Sequence, residues 1–313
     1  MSPKFKKELK NCLELFLSLF SYNIRVRRQL EKLIVSNLPI MNIVDVGASY
    51  FPHAKWKLFM QSKKINWYAI DPNDQNLTYT DNWIWDCNIK KIPIAISDKS
   101  EKTSFYITNV DSGSSILKPH FNENIKHRAS KDYFLPYKKV QLETVAISEV
   151  IEREFKLPQQ PTIMKLDTQG TEFQIIKSLS PKYLKNVICF ELESNLHAEP
   201  AYENSSHISE VFEFFNDNGY ELMDIEVMRS QKKLTKNRIR SQNIPNECDL
   251  IFIRKSSLLR HESRENILAA LGVYFCYGLY EELAFLTEFT LKKELQLDIE
   301  TKNQLERILS YLK

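Results

Sequence analysis

The chain has 313 residues, 43% of them hydrophobic, and a formal net charge of +3. This length exceeds one ordinary domain, so we expect one domain of about 200 residues with extensions. A nearly balanced charge argues against a dedicated nucleic-acid binder, because such domains are strongly basic. Five cysteines occur singly, without the close pairs of zinc or redox motifs, and we expect a reduced, cytoplasmic location.

The first 38 residues predict an N-terminal helical extension. A basic start is followed by the apolar run "CLELFLSLF", which Glu14 interrupts and no small-residue cleavage site follows. No run approaches the 18 apolar residues of a membrane span. We predict an amphipathic helix that packs on the main domain or on a second subunit. Peripheral contact of this helix with an anionic membrane surface is the alternative.

Between residues 39 and 255, short apolar runs alternate with helical stretches, which predicts a parallel sheet with crossover helices. A helix ending at Gly219 precedes two more strands, and their short connection predicts an antiparallel pair. The expected fold is α/β, a mostly parallel seven-stranded sheet with an antiparallel last strand. The strands are predicted at "MNIVDVG", "NWYAID", "KIPIAIS", "TIMKLD", "NVICFEL", "YELMDIEVM" and "CDLIFIR", with two inserted strands, "TSFYIT" and "KKVQLETVAI", around a polar loop.

Residues 256–313 have apolar residues at helical spacing and almost none of the turn residues that bound strands, which predicts a C-terminal extension of two or three helices. Its many Phe, Tyr and Leu side chains need a surface to cover them. We therefore expect the apolar helices at the two ends to bury each other or a second copy of the chain, and a homodimer is the expected assembly.

A cofactor site is predicted at the first turn of the sheet. Gly47 directly follows the first strand, where glycine lets the backbone turn tightly and approach a ligand. Asp71 ends the second strand, 24 residues further on, near the separation typical of a carboxylate that accepts from ribose hydroxyls. Asp45 at the strand end can face the ligand's ammonium group or order the loop. A plain turn with a solvated acid is the structural alternative.

The residues after Gly47 favour S-adenosylmethionine over a dinucleotide. A pyrophosphate cradle uses three glycines, but "GASYFP" supplies the first alone, with Phe51 where close backbone approach is needed. S-adenosylmethionine carries no phosphate and does not need that cradle.

The stretch "PTIMKLDTQGTEFQIIKSL" places a polar cluster between a buried strand and a helix. The fourth strand should lie beside the first, so Asp167 should point into the ligand cleft. Glu193 ends the neighbouring fifth strand, and His197 follows it. A carboxylate or histidine there could take the proton of a methyl acceptor. Equally, Asp167 could cap the helix, Glu172 could serve the helix dipole and Lys165 could simply pair with a carboxylate.

The blocks "IVDVGAS", "YAIDP", "IAISDKS", "VQLETVAISEVIE", "IMKLDTQGTEFQIIKSL" and "VICFELE" resemble, in order and spacing, the FkbM-type methyltransferases. The chain departs from the family pattern at Ser49, Phe51 and Gln169. The resemblance implies a class I S-adenosylmethionine-dependent fold and O-methylation of sugars or secondary metabolites. The residues expected at the cofactor are Asp45, Gly47, Ala48, Ser49, Asp71, Ser97, Asp98 and Asp167, and those expected in catalysis are Asp167, Glu193, His197 and Lys165.

No metal is expected. A divalent ion on Asp167, Glu193 and His197 is conceivable from ligand type, but nothing in the spacing demands it.

Two loops are candidates for acceptor recognition. The loop "MRSQKKLTKNRIRSQ" should lie at the cofactor end of the sheet, where six basic residues could attract an anionic glycan or sugar. The loop "DSGSSILKPH" carries hydroxyl groups suited to sugar hydroxyls. Each could also be an ordinary solvated loop.

The predicted function is an S-adenosylmethionine-dependent O-methyltransferase acting on a glycan, sugar or related hydroxylated metabolite. One alternative is a catalytically silent member of the fold that organises other enzymes through its helical ends. A nucleotide-dependent oxidoreductase is the other, disfavoured by the missing glycines.

Overall fold

A computed structural model describes most of the chain: residues 24–49, 54–78, 85–120, 135–156, 158–196, 200–230, 244–292 and 298–312. The chain divides into two compact units, one of residues 39–270 and one of residues 1–38 together with 271–313.

Seven strands of the larger unit form one sheet, in the order β3-β2-β1-β7-β8-β10-β9, and three form a second sheet, in the order β4-β6-β5. The strands are β1 (Met41–Val46), β2 (Ile65–Ile70), β3 (Asn88–Ile92), β4 (Ala95–Ser97), β5 (Glu101–Thr108), β6 (Pro136–Ala146), β7 (Thr162–Leu166), β8 (Val187–Asn195), β9 (Tyr220–Ser230) and β10 (Ile244–Arg254).

The large sheet confirms the predicted topology. Strands β3, β2, β1, β7 and β8 pair in parallel, whereas β10 pairs antiparallel with both β8 and β9. Every residue of β1 and β2 is buried, which is why these strands are near-continuous apolar runs and show no alternation. Because β10 is antiparallel to both neighbours, the end of β9 and the start of β10 lie at the carboxyl ends of the parallel strands.

An apolar core lies on one face of this sheet, where Val44, Met164, Phe190 and Phe252 belong to one buried apolar cluster. Phe215, from a helix that covers this face, stacks on Phe252 at a ring distance of 4.1 Å. The larger unit contains the helices Asp74–Leu77, Ile147–Glu154, Glu172–Lys177, Pro181–Leu184, Ile208–Asp217 and Ser256–Leu259, and the 3-10 helices Ala54–Gln61 and Asp111–Gly113.

The predicted third strand "KIPIAIS" is divided between the two sheets, and predicting it as one strand was wrong. β3 ends at Ile92, and the Ile94 amide donates to the Ile92 carbonyl at 2.9 Å, which closes a tight turn around Pro93. Proline has no N–H for a sheet ladder, so the strand stops there. The next residues form β4, which pairs in parallel with β6. The inserted strands β5 and β6 pair antiparallel, as adjacent inserted strands can.

The smaller unit is helical in its described residues. Residues 24–37 are helical, and Leu30 and Ile34 are buried. The other helices are Tyr280–Lys292 and Ile299–Leu312, while Arg264–Cys276 spans the boundary of the two units. None of the helices in the described ranges is long and apolar enough to cross a membrane.

Candidate active site

A cleft of about 620 Å³ lies at the carboxyl ends of the parallel strands. Open α/β sheets bind their ligands in this position. The large sheet contributes Gly47, Asp71, Asp167 and Glu193 to its lining. Four of the residues predicted from sequence therefore share one cleft.

The turn after β1 requires glycine. Gly47 has a φ of +80°, and a Cβ built on it would lie 1.9 Å from the backbone oxygen of Asp167. The amides of Gly47 and Ala48 both donate to the Ile70 carbonyl, at 2.9 and 3.1 Å. The turn is therefore held between the ends of β2 and β7, with backbone exposed toward the cleft.

Asp71 is held in a fixed orientation at the end of β2. Its Oδ1 accepts from the Asn73 amide at 2.7 Å and from the Asn76 side chain at 3.2 Å. Burial raises the pKa of Asp71 to about 6, although these two bonds act in the opposite direction. Both bonds use Oδ1, so within the described residues Oδ2 is the oxygen that can accept from a ligand hydroxyl.

Asp167 pairs with side chains and does not cap the helix. Its Oδ2 lies 3.2 Å from Lys165 Nζ, and its Oδ1 accepts from Gln169 Nε2 at 3.0 Å. Burial favours the neutral acid, but Lys165 and Gln169 outweigh it and hold the pKa of Asp167 below its usual range. Asp167 therefore carries its negative charge at neutral pH.

Glu172 binds the turn that leads into the helix. The helix begins at Glu172, whose carboxylate accepts from the amides of Thr168, at 2.7 Å, and Gly170, at 3.0 Å. These are free amides of the turn before the helix, and a carboxylate there also suits the helix dipole. Burial raises the pKa of Glu172 to about 7. Asp167 does not cap this helix, because the N-cap residue Thr171 has no side-chain capping bond and the oxygens of Asp167 pair with Lys165 and Gln169.

A row of charged residues crosses three strands beneath the cleft. Asp45 on β1, Lys165 on β7 and Glu191 on β8 are in register with one another. Burial raises the pKa of Asp45 to about 6, with Lys165 opposing it. Burial favours neutral Lys165, but Asp167, Asp45 and Glu191 outweigh it and raise the pKa of Lys165. Lys165 therefore stays protonated, supplies positive charge and cannot take a proton.

Further carboxyl groups continue the cleft on β8 and β10. Glu193 is paired in register with Asp249, and Glu247 also lines the cleft. Burial and then the negative charge of Asp167 raise the pKa of Glu193 well above its usual value. The same two causes raise the pKa of Glu247. Neighbouring carboxyls in one site cannot all ionise, so protons are retained on this side of the cleft.

The small sheet forms an apolar wall of the same cleft. Its lining side chains are Ile96 of β4, Phe105 and Ile107 of β5, and Val140 and Leu142 of β6. The predicted hydroxyl-rich loop adds Asp111, Ser112, Ser114 and Ile116.

The remaining predicted residues are not all in this lining. Ser49 lines the cleft, whereas Asp45 lies below it. Ser97 is buried in β4 and donates to Asp98 at 2.9 Å, and neither side chain lines the cleft. A cofactor role for Ser97 and Asp98 stays a prediction. His197, Phe51 and residues 231–243 of the basic loop lie outside the described residues.

In the described part of the chain, no group of three or more His, Cys, Asp or Glu side chains could hold a metal ion.

Several site residues were not predicted. Asn73 and Asn76 donate hydrogen bonds to Asp71. Their positions two and five residues after it in the sequence could have predicted these contacts. Gln169 donates to both Asp167 and Glu193, which the sequence could not show because the two acids lie 26 residues apart.

The sheet order, with an antiparallel strand next to the edge and a cleft at the switch point, defines a class I methyltransferase-type, Rossmann-like fold. The model of the FkbM methyltransferase domain matches residues 45–222, which is more than half of the chain. The chain belongs to the FkbM methyltransferase family.

Among solved structures, the chain is similar to a "putative RNA methyltransferase" from Pyrococcus horikoshii, with 9% identity over 73% of this chain and 83% of that one, and a TM-score of 0.31. It is also similar to precorrin-6y C5,15-methyltransferase from Geobacter metallireducens, with 11% identity over 72% and 87% of the two chains, and a TM-score of 0.31. No curated protein matches the chain.

Proposed function

We propose that this protein is an S-adenosylmethionine-dependent O-methyltransferase that acts on a hydroxyl of a glycan, sugar or related metabolite. The observation that carries the proposal is the shared cleft, in which the Gly47 turn, the fixed Asp71 carboxylate and the charged Asp167 meet. Membership of the FkbM family supports methyl transfer as the reaction class.

The residues present fit S-adenosylmethionine. A volume of about 620 Å³ is in the range of small-molecule sites. Asp71 Oδ2 can accept from the ribose hydroxyls, while Ile94 and Ile96 offer apolar surface to the adenine. Gly47 lets the turn after β1 pack closely against the backbone of Asp167 while it lines the cleft, where the amino-acid portion can approach its backbone. When bound, the cofactor supplies an electrophilic methyl group on a positively charged sulfur.

The chain's own groups can orient and deprotonate an acceptor. Asp167 remains charged and can accept a hydrogen bond from the acceptor hydroxyl, which fixes that oxygen in the cleft. Glu193 has a raised pKa, so its ionised form is a better base than an ordinary carboxylate. We assign orientation to Asp167 and proton removal to Glu193, while Lys165 holds the charge of Asp167 in place.

An anionic acceptor is a further proposal. Its support is the basic sequence between β9 and β10, because β9 runs parallel to β8 and ends at the cofactor end of the sheet. The described lining of the cleft carries Asp and Glu side chains, so positive charge for such an acceptor would come from that loop.

Calorimetry with S-adenosylmethionine, S-adenosylhomocysteine and NADH tests the cofactor. We expect binding of the first two and none of NADH. Labelled methyl transfer onto neutral and acidic glycan fractions then tests the acceptor. A folded protein that binds neither sulfur compound would support a silent scaffold, and NADH binding would support an oxidoreductase.

A further inference from the structure

Gln169 connects the two carboxylates that face the cleft. Its side-chain nitrogen donates to Asp167 Oδ1 at 3.0 Å and to Glu193 Oε2 at 2.7 Å. An amide nitrogen carries two hydrogens, so both bonds can exist at once. One side chain thus joins the end of β7 to the end of β8.

The rest of Gln169 is fixed by two loops that pair with each other. These paired loops are residues 111–120 and 200–205, joined by a bridge between Pro119 and Tyr202. The buried Tyr202 hydroxyl lies 2.8 Å from Gln169 Oε1 and 2.8 Å from the Gly113 carbonyl. Ser115 Oγ donates to the Gln169 carbonyl at 2.8 Å.

The backbone of Gln169 is also strained. Its φ of +60° lies in the left-handed region, which residues other than glycine seldom adopt. Such a conformation persists where surrounding contacts over-determine it, and it is common at functional sites. The side-chain and main-chain bonds of Gln169 supply those contacts.

We propose that Gln169 is a positioning residue of the site, whose amide holds the Asp167 and Glu193 carboxylates side by side and fastens them to the paired loops. Its relevance to methyl transfer rests on the proposed function, whereas the positioning itself can be tested without cofactor.

The charge balance explains why an amide suits this place. Among the described residues, the charged groups that act on the Asp167 and Glu193 pair include Lys165 on β7, Glu172 at the helix start, and Glu247 and Asp249 on β10. A carboxylate at position 169 would place one more negative charge between two acids and remove both donors. An amide supplies two hydrogens and no charge.

Gln169→Glu tests this in the ligand-free protein, with thermal unfolding followed from pH 5 to pH 8. The new carboxyl is nearly isosteric, and its pKa in the folded state should be raised. A raised pKa leaves stability intact at low pH and removes it as the pH rises through that pKa. We expect the midpoint of the variant to lie near that of the parent at pH 5 and about 3 to 6 °C below it at pH 8.

Gln174→Glu is the matched control, because among the described residues the Gln174 side chain donates to the exposed Asn204 carbonyl and lies outside the cleft. The difference between its thermal midpoint and that of the parent should stay constant across the pH range. The proposal would be overturned if the difference in thermal midpoint between Gln169→Glu and the parent did not change with pH, or if it equalled the difference measured for the control.

The double variant Asp167→Asn, Gln169→Glu restores one amide and two carboxylates to the cluster. The double variant should recover at least half of the pH-dependent loss in thermal midpoint. It tests the positioning role of Gln169 even if Gln169→Glu alone is unfolded at pH 8. No recovery would count against the proposal. Calorimetry with S-adenosylmethionine on the parent tests cofactor binding separately. If the parent binds no cofactor, the proposed function fails, but the pH-dependent stability of the variants still tests the positioning role of Gln169.

Discussion

Gly47→Ala should be among the most damaging small substitutions in the chain. The added Cβ would lie 1.9 Å from the Asp167 backbone oxygen, so the ends of β1 and β7 must separate by about 1 Å or more to reach a normal contact. Asp167 donates its amide to the Val46 carbonyl at 2.9 Å, and that separation breaks the bond. The bond contributes about 1 kcal/mol, and the positive φ adds about 1 to 2 kcal/mol for a residue with a Cβ.

We therefore expect Gly47→Ala to lower the free energy of unfolding by about 3 kcal/mol and to abolish cofactor binding. The assays are urea unfolding and calorimetry with S-adenosylmethionine. Gly219→Ala is the matched control in the same unit, since Gly219 has a φ of +82° but its Cβ would meet the flexible end of Leu258. It should lose only about 1 to 2 kcal/mol. Equal losses in both variants would refute the argument from the rigid contact with β7.

Five further outcomes are expected. Asp71→Ala should weaken S-adenosylmethionine binding by about 1.5 to 3 kcal/mol, and unchanged affinity in calorimetry would remove Asp71 from the ribose site. Asp167→Asn should slow methyl transfer by roughly 10² to 10⁴ with cofactor affinity within about tenfold of the parent, and parental turnover would contradict its role. Glu172→Gln should keep most turnover. Burial raises the pKa of Glu172 to about 7, so the protonated side chain stabilises the fold fully below about pH 4 and this contribution is lost as the pH rises through 7. Glu172→Gln removes this titration, so the thermal midpoint of the variant should fall less than that of the parent from pH 5 to pH 8. Glu193→Gln should remove the rise of the methyl-transfer rate with pH that a base of raised pKa produces, and an unchanged pH profile would assign the proton to another group. Light scattering should show a dimer for the full chain and a smaller species for a chain ending at Lys255, and monomers in both cases would exclude the dimer.

The order of the strands followed from the sequence because burial on both faces leaves a strong local signal. Parallel strands such as β1 and β2 are mostly apolar and buried along their whole length, and the short connection before β10 left little room for a crossover helix. Gly47 and Asp71 could be predicted for a similar reason, since their places at strand ends follow directly from the runs before them. The division of "KIPIAIS" was missed, although Pro93 marked where one ladder had to stop.

The polar cluster after β7 shows what the sequence determined and what only the tertiary structure decided. Its composition required partners for two acids and a lysine, and its position after a parallel strand placed Asp167 in the cleft. Whether either acid caps the helix was undecided until the structure showed the Glu172 carboxylate accepting from amides of the preceding turn and Asp167 paired with Lys165 and Gln169. The bridge from Asp167 through Gln169 to Glu193 depends on strands distant in the chain lying side by side. Pairing of that kind, and the burial that shifts these pKa values, arise only when the sheet is assembled.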